Sequence, residues 1–117
     1  MNNKDTGFLG ENMAADHLIK LGYEILERNW RYKHLELDII ASKNGILNII
    51  EVKTRSSIRF GFPEQSIGRQ KMQYLKNAAA VFQYKNPKWK RIQFGVIAIH
   101  LNKKGEWDLL FLEDFFL

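Results

Sequence analysis

The sequence predicts an α/β domain, a mixed β-sheet flanked by helices in the order α-β-β-β-α-β-β. Two segments repeat their apolar residues at helical spacing, and five shorter ones alternate or run apolar as strands do. An Asn44-Gly45 step between two apolar runs marks a hairpin. The length, 117 residues, suits a single domain over residues 1–117 that buries a core without staples.

The first helix can start at Asp5 or Thr6, either of which can cap it. Its apolar positions are Phe8, Leu9, Met13, Ala14, His17, Leu18 and Leu21, and Gly22 is placed to stop it. Glu11 lies at the rim of that stripe, an odd place for an acid if the helix only packs. Tyr23–Trp30 reads as a first strand. Leu35–Ser42 reads as a second, with Leu35, Leu37, Ile39 and Ala41 on one face and Glu36, Asp38 and Ile40 on the other. Ile46–Arg55 is the third. Glu64–Lys85 is a long helix with Ile67, Met72, Leu75, Ala79 and Phe82 in its stripe. Arg91–Leu101 is a fourth strand, joined through Asn102–Gly105 to a fifth at Glu106–Leu112.

With no cysteine there is no disulfide framework and no thiolate metal site, which fits a reducing compartment. The N-terminal stretch has no signal-peptide layout, and no apolar run approaches the roughly 20 residues of a membrane span, so a soluble cytoplasmic protein is expected. The formal charge is +5, unevenly spread. Gln65–Gly105 holds no acid but nine Lys and Arg residues, and from Glu106 onward there are four acids and no base. A basic block of this length points to a polyanionic partner or to a solvated helix face.

Centring the hairpin on Asn44-Gly45 sets Asp38 opposite Glu51 and Glu36 opposite Lys53, so three carboxylates and a lysine share one patch. Opposed carboxylates about 4–5 Å apart cost roughly 3–4 kcal/mol at an effective dielectric near 20. A divalent cation would remove that cost. Mg²⁺ (or Mn²⁺) takes oxygen ligands, and Asp38, Glu51 and the Val52 carbonyl would form half a shell. Such a metal activates a water and stabilises charge on a phosphate, with Lys53 placed to hold the phosphate or orient the water. The bland alternative is a set of cross-strand ion pairs, with Lys53 neutralising Glu36.

These residues resemble the PD-(D/E)xK nuclease superfamily, of restriction-endonuclease-like fold. More narrowly, the chain resembles the YraN-like family of small bacterial proteins, predicted endonucleases related to Holliday-junction resolvases. The resemblance is carried by Gly10-Glu11 with Ala15 and Leu18, by "LGYEILERNWR", "ELDIIA" and "IIEVKTR", and by Gln70-Lys71. It implies a catalytic set of Asp38, Glu51, Lys53, Glu36 and Glu11. Asp38 matches the metal-binding aspartate, Glu51 and Lys53 the (D/E)xK pair, Glu11 the first-helix acid, and Glu36 an extra acid of the family. Leu35 stands where the family usually has Gly, and Gly95 where it usually has Asp.

Arg55, Arg69, Gln70, Lys71 and Lys76 are expected to contact nucleic-acid backbone, with Lys85, Lys88 and Arg91 as further candidates. Gln70 and Tyr74 resemble a helix motif of related exonucleases. His17, His34 and His100 show no ligand spacing, and Trp89 either packs or stacks on a base. Phe60–Glu64 has glycine but no phosphate-loop pattern.

The function expected is metal-dependent hydrolysis of DNA at branched or deformed structures, with a homodimer by analogy to resolvases. The rivals are a non-catalytic nucleic-acid-binding module on the same scaffold, and a protein-interaction domain that uses the acidic-aromatic tail Glu113–Leu117.

Overall fold

The computed structural model describes residues 3–55 and 68–114, and side chains from Gly7 onward. The expected loop Phe60–Glu64, the start of the second helix before Gly68, and the last three residues of the tail lie outside the described residues.

The elements are α1 (Asn3–Lys20), β1 (Glu24–Tyr32), β2 (Leu35–Lys43), β3 (Ile46–Arg55), α2 (Arg69–Lys85), β4 (Ile92–Leu101) and β5 (Trp107–Leu112). They form one mixed sheet in the order β1-β2-β3-β4-β5, antiparallel except for β3 with β4. Antiparallel neighbours can be joined by tight turns, whereas a parallel pair needs a crossover, and α2 supplies it. The element order and mixed sheet are those expected from the residues, and they match the restriction-endonuclease-like topology that the resemblance implied.

α1 begins at Asn3, upstream of Asp5 and Thr6, so neither is its cap. No proline or glycine interrupts Asn3–Thr6, and nothing stops the helix from reaching back. Its end is as expected. Gly22 takes φ +94°, its N–H donates to Ile19 O and that of Tyr23 to Leu18 O, the paired bonds of a Schellman stop. The buried stripe is narrower than the apolar one: Ala14, Ala15 and Leu18 are buried, while Phe8 and Leu21 face solvent.

Two cores lie on opposite faces of the sheet. On one, α1 and Tyr23 pack on Ile39, Ala41, Ile50, Ile97 and Ile99. On the other, Leu75, Ala78, Ala79 and Phe82 of α2 pack on Leu37, Ile40, Leu47 and Ile49. Trp30 meets Phe82 edge to face, and Trp89 packs at the border of this second core. The packing role of Trp89 is therefore the one observed. Among the described residues, no helix is long and apolar enough to cross a membrane.

The alternation expected along β2 breaks. Leu35 and Leu37 belong with α2, whereas Ile39 and Ala41 belong with α1. The break falls at Asp38. Its neighbour in β1 is Asn29, in the left-handed region at φ 52°, between the ladder pairs Arg28–Ile39 and Trp30–Leu37. Asparagine tolerates that conformation better than most residues. The left-handed step lets the hairpin tip exchange faces with its base.

α1 approaches β3 so closely that only glycine fits at residue 10. A Cβ there would overlap the Thr54 hydroxyl, whereas one at Gly7 would meet nothing within 4 Å. Gly10→Ala is therefore expected to destabilise the fold by about 1–3 kcal/mol through overpacking. Gly7→Ala should leave stability unchanged or raise it by up to about 1 kcal/mol. Urea unfolding of the two variants measures this, and equal effects would refute the close approach.

A candidate active site at a fork in the sheet

The register counted from Asn44-Gly45 is the observed one. Both turn residues take positive φ, 54° and 76°, and the ladder runs from Lys43–Ile46 to Ile39–Ile50. There it stops. Beyond Ile39, β2 pairs with β1 alone, and beyond Ile50, β3 pairs with β4 alone, from Glu51–Val96 to Arg55–His100. The sheet forks one residue before Asp38 and Glu51 would become ladder partners.

A fork strands backbone groups, and a buried N–H without an acceptor costs about as much as a lost hydrogen bond. Asp38 fills the gap. Its Oδ2 accepts from the Val52 N–H at 2.9 Å, taking the role of the missing strand. A strand residue sends its N–H and C=O to the same side, so the Val52 carbonyl also faces the fork.

Glu51 is buried, with its side chain 7% exposed. Two ammonium groups neutralise it: Lys53 Nζ at 3.6 Å, on the same strand, and Lys71 Nζ at 3.5 Å, from α2. Burial first, and then the negative charges of Glu51 and Glu11, push the Asp38 carboxyl up to about 7. The Val52 N–H and Lys71 act in the opposite direction. Glu11 is held at the fork from α1, where its Oε2 accepts from Asn29 Nδ2 at 3.2 Å. Beside it, Arg28 Nη2 donates to Asn12 Oδ1 at 2.8 Å.

The structure thus brings Asp38, Glu51, Lys53 and Glu11 together. Glu36 is elsewhere. It pairs with Arg31 at 3.5 Å on the hairpin tip, and its N–H donates to the Tyr74 hydroxyl at 2.6 Å. The expected Glu36–Lys53 opposition fails because the strands fork and the tip changes face. Lys71, expected as a backbone contact, is also a partner of Glu51. Arg69, Gln70 and Lys76 lie exposed along α2, and Arg55 at the end of β3 donates to Thr54 O at 3.0 Å.

Tyr74 is a latch: its hydroxyl donates to His34 O at 3.1 Å while accepting from Glu36, tying α2 to the tip. His17 meets Phe111 edge-on and His100 faces Asp108 at 3.5 Å. Gly95 pairs with Ile50, where a Cβ would come within 3.1–3.2 Å of Ile50, Phe111 and the Leu112 carbonyl. Leu35 packs in the α2-side core. Both departures from the family pattern therefore sit in close packing.

Sequence reasoning missed Asn29 and the Lys33-His34 turn. Asn29 lies inside "LGYEILERNWR", but its φ has no signal in the sequence. Lys33 sits at φ 56° in a two-residue hairpin that carries no glycine.

The profile of Uncharacterised protein family UPF0102 matches residues 10–99. A UPF0102 protein of Dictyoglomus thermophilum is 43% identical over 114 residues, covering 94% of this chain and 97% of its own. One from Flavobacterium johnsoniae is 44% identical over 104 residues, covering 86% and 85%. One from Natranaerobius thermophilus is 39% identical over 119 residues, covering 99% and 100%.

The pH dependence of stability follows from the raised Asp38 pKa. Below about pH 4 the group is protonated in both folded and unfolded states. Between about pH 4 and 7 the folded state keeps a proton that the unfolded state loses, so stability falls as pH rises. Asp38→Asn keeps an acceptor for Val52 and removes the charge. In chelator, its stability relative to the parent should be higher by about 2–3 kcal/mol at about pH 8 than at about pH 5. Parallel urea curves at both pH values would refute this.

Proposed function

The chain belongs to Uncharacterised protein family UPF0102, and from the two carboxylates gathered at its fork we propose that it is a metal-dependent endonuclease. Its reaction is hydrolysis of DNA phosphodiester bonds, at branched structures, in a reducing cytoplasm. The observation that carries this reading is the Asp38–Glu51 pair, held against mutual repulsion and burial. A fold selected for stability alone has no use for that arrangement, whereas a hard cation relieves it.

The donor set suits Mg²⁺ or Mn²⁺: two carboxylates and the Val52 carbonyl, all oxygen. Bound there, the cation would acidify a water and offset charge on the phosphate. Lys53 sets an ammonium beside Glu51, where it orients a nucleophile or holds a phosphate oxygen. Lys71 reaches the same carboxylate from the helix side and offers a second positive charge toward the substrate backbone. Glu11, fixed by Asn29, adds negative potential from the α1 side. Arg69, Gln70 and Lys76 continue this charged and polar line along α2, a surface that reads backbone shape rather than base edges.

One observation favours a second reading, a non-catalytic nucleic-acid-binding module. Among the described residues, no group of three or more His, Asp or Glu side chains could hold a metal ion.

Labelled linear, flapped and four-way-junction DNA, incubated with Mg²⁺ or Mn²⁺, separates the two readings. The nuclease predicts cleavage that chelator and Asp38→Asn abolish, and that Lys53→Met slows by about 10²–10³-fold. The module predicts uncut DNA and salt-sensitive binding that Asp38→Asn leaves intact.

A further inference from the structure

Tyr32 ends β1 on the hairpin tip, half-buried on the α2 side. Two ammonium groups converge on its ring. Lys33 Nζ lies 5.5 Å from the ring centroid and Lys85 Nζ, from the end of α2, lies 4.8 Å from it. Neither lysine has a carboxylate within ion-pair distance among the described residues. The nearby acid, Glu36, pairs with Arg31 on the other face of the tip.

Cation–π attraction contributes only about 0.5–1 kcal/mol at exposed sites, and two like charges around one ring oppose each other. Lys33 adds a further cost. It occupies a left-handed turn position, φ 56°, that suits Gly or Asn far better. Beside Lys85 stands Tyr84, a ring left 86% exposed. Both ammonium groups lie over the ring on flexible stems, and a lysine that swings off to a phosphate uncovers an aromatic face on which a base can stack.

We propose that Tyr32, Lys33 and Lys85 form a subsite for an unpaired nucleotide of a single-stranded segment. The proposal rests on the nuclease reading for its link to the fork and deepens it by naming the substrate class. Tyr32 pairs with Leu35, three residues before Asp38 on β2. At about 3.3 Å per residue the subsite lies roughly 10 Å along the strand from the fork. A stacked strand covers that span in about three nucleotides. The preferred substrate is therefore one in which a duplex opens into single strand, such as a flap or junction arm, rather than a closed duplex.

The test is fluorescence anisotropy in chelator at low salt, with an oligothymidine and a blunt duplex of equal length as probes. All variants are made in an Asp38→Asn background so that binding is read without cleavage. Tyr32→Ala is expected to weaken oligothymidine binding about tenfold or more, and duplex binding less than about twofold. Tyr32→Trp should restore it. Because Tyr32→Ala can loosen the tip, the exposed pair Lys33→Gln/Lys85→Gln provides a second reading. It should weaken oligothymidine binding and flatten its salt dependence by close to two phosphates' worth.

Equal losses on both probes, or no loss on oligothymidine, overturn the subsite. Cleavage by the parent protein is scored separately. A parent that cuts nothing but shows the Tyr32 pattern loses the nuclease reading and keeps the subsite. A parent that cuts while Tyr32 and the lysine pair are silent does the reverse.

Discussion

One hydrogen bond organises the site: the Val52 N–H to the Asp38 carboxylate, across the point where β2 and β3 part. A sheet that forks must satisfy the backbone groups it exposes, with side chains or water where no strand is left to pair. Here a side chain carboxylate does it. The acceptor is thereby held at fixed geometry inside the sheet rather than on its surface. Other contacts follow from keeping the fork open. Tyr74 draws the β1–β2 tip toward α2, and β4 holds the opposite edge of β3 past the fork, out to Arg55. Gly10 lets α1 settle on Thr54 and bring Glu11 within range of Asp38.

The site carries this charge because the rest of the fold can bear it. Fully burying one aliphatic side chain contributes roughly 1.5–3 kcal/mol. Ile39, Ile50, Ile97 and Ile99 on one face, and Leu37, Ile40, Leu47 and Ile49 on the other, are all essentially solvent-free. Against that, the repulsion and desolvation concentrated on Asp38 amount to a few kcal/mol. The imbalance is local. Glu51 is neutralised by Lys53 and Lys71, so the unrelieved charge falls on Asp38, the group that also satisfies the fork.

The order of elements was legible because periodicity and one Asn-Gly turn carry it, and the hairpin register was legible because that turn leaves no freedom. Asp38 and Glu51 therefore met as counted, although not as ladder partners. What could not be read were places where the backbone departs from its period. The alternation of β2 reverses at Asp38 because Asn29, across from it, is left-handed. No residue in β2 announces a change that its neighbour imposes. Glu36 was misplaced because the strands part and the tip changes face, so the count from the turn no longer holds at its position. Lys71 was expected as a nucleic-acid backbone contact, and its ion pair with Glu51 was not foreseen, because the two residues lie on different elements 20 positions apart in sequence.

The fork also relates the two ends of the hairpin. If β2 and β3 stayed paired to the tip, Asp38 would spend its carboxylate on solvent or a cross-strand lysine, and Val52 would bond to backbone. Because they part, the tip turns its other face to α2. Trp30, Leu35 and Leu37 then enter the second core, with Tyr32 beneath the end of α2. The face switch at Asn29 and Asp38 thus does two things with one distortion. It frees a carboxylate inside the sheet, and it sets an aromatic ring with two lysines on the same side as Glu51 and its ammonium partners. An ordinary hairpin would place those groups on opposite faces, where no single strand of nucleic acid could meet both.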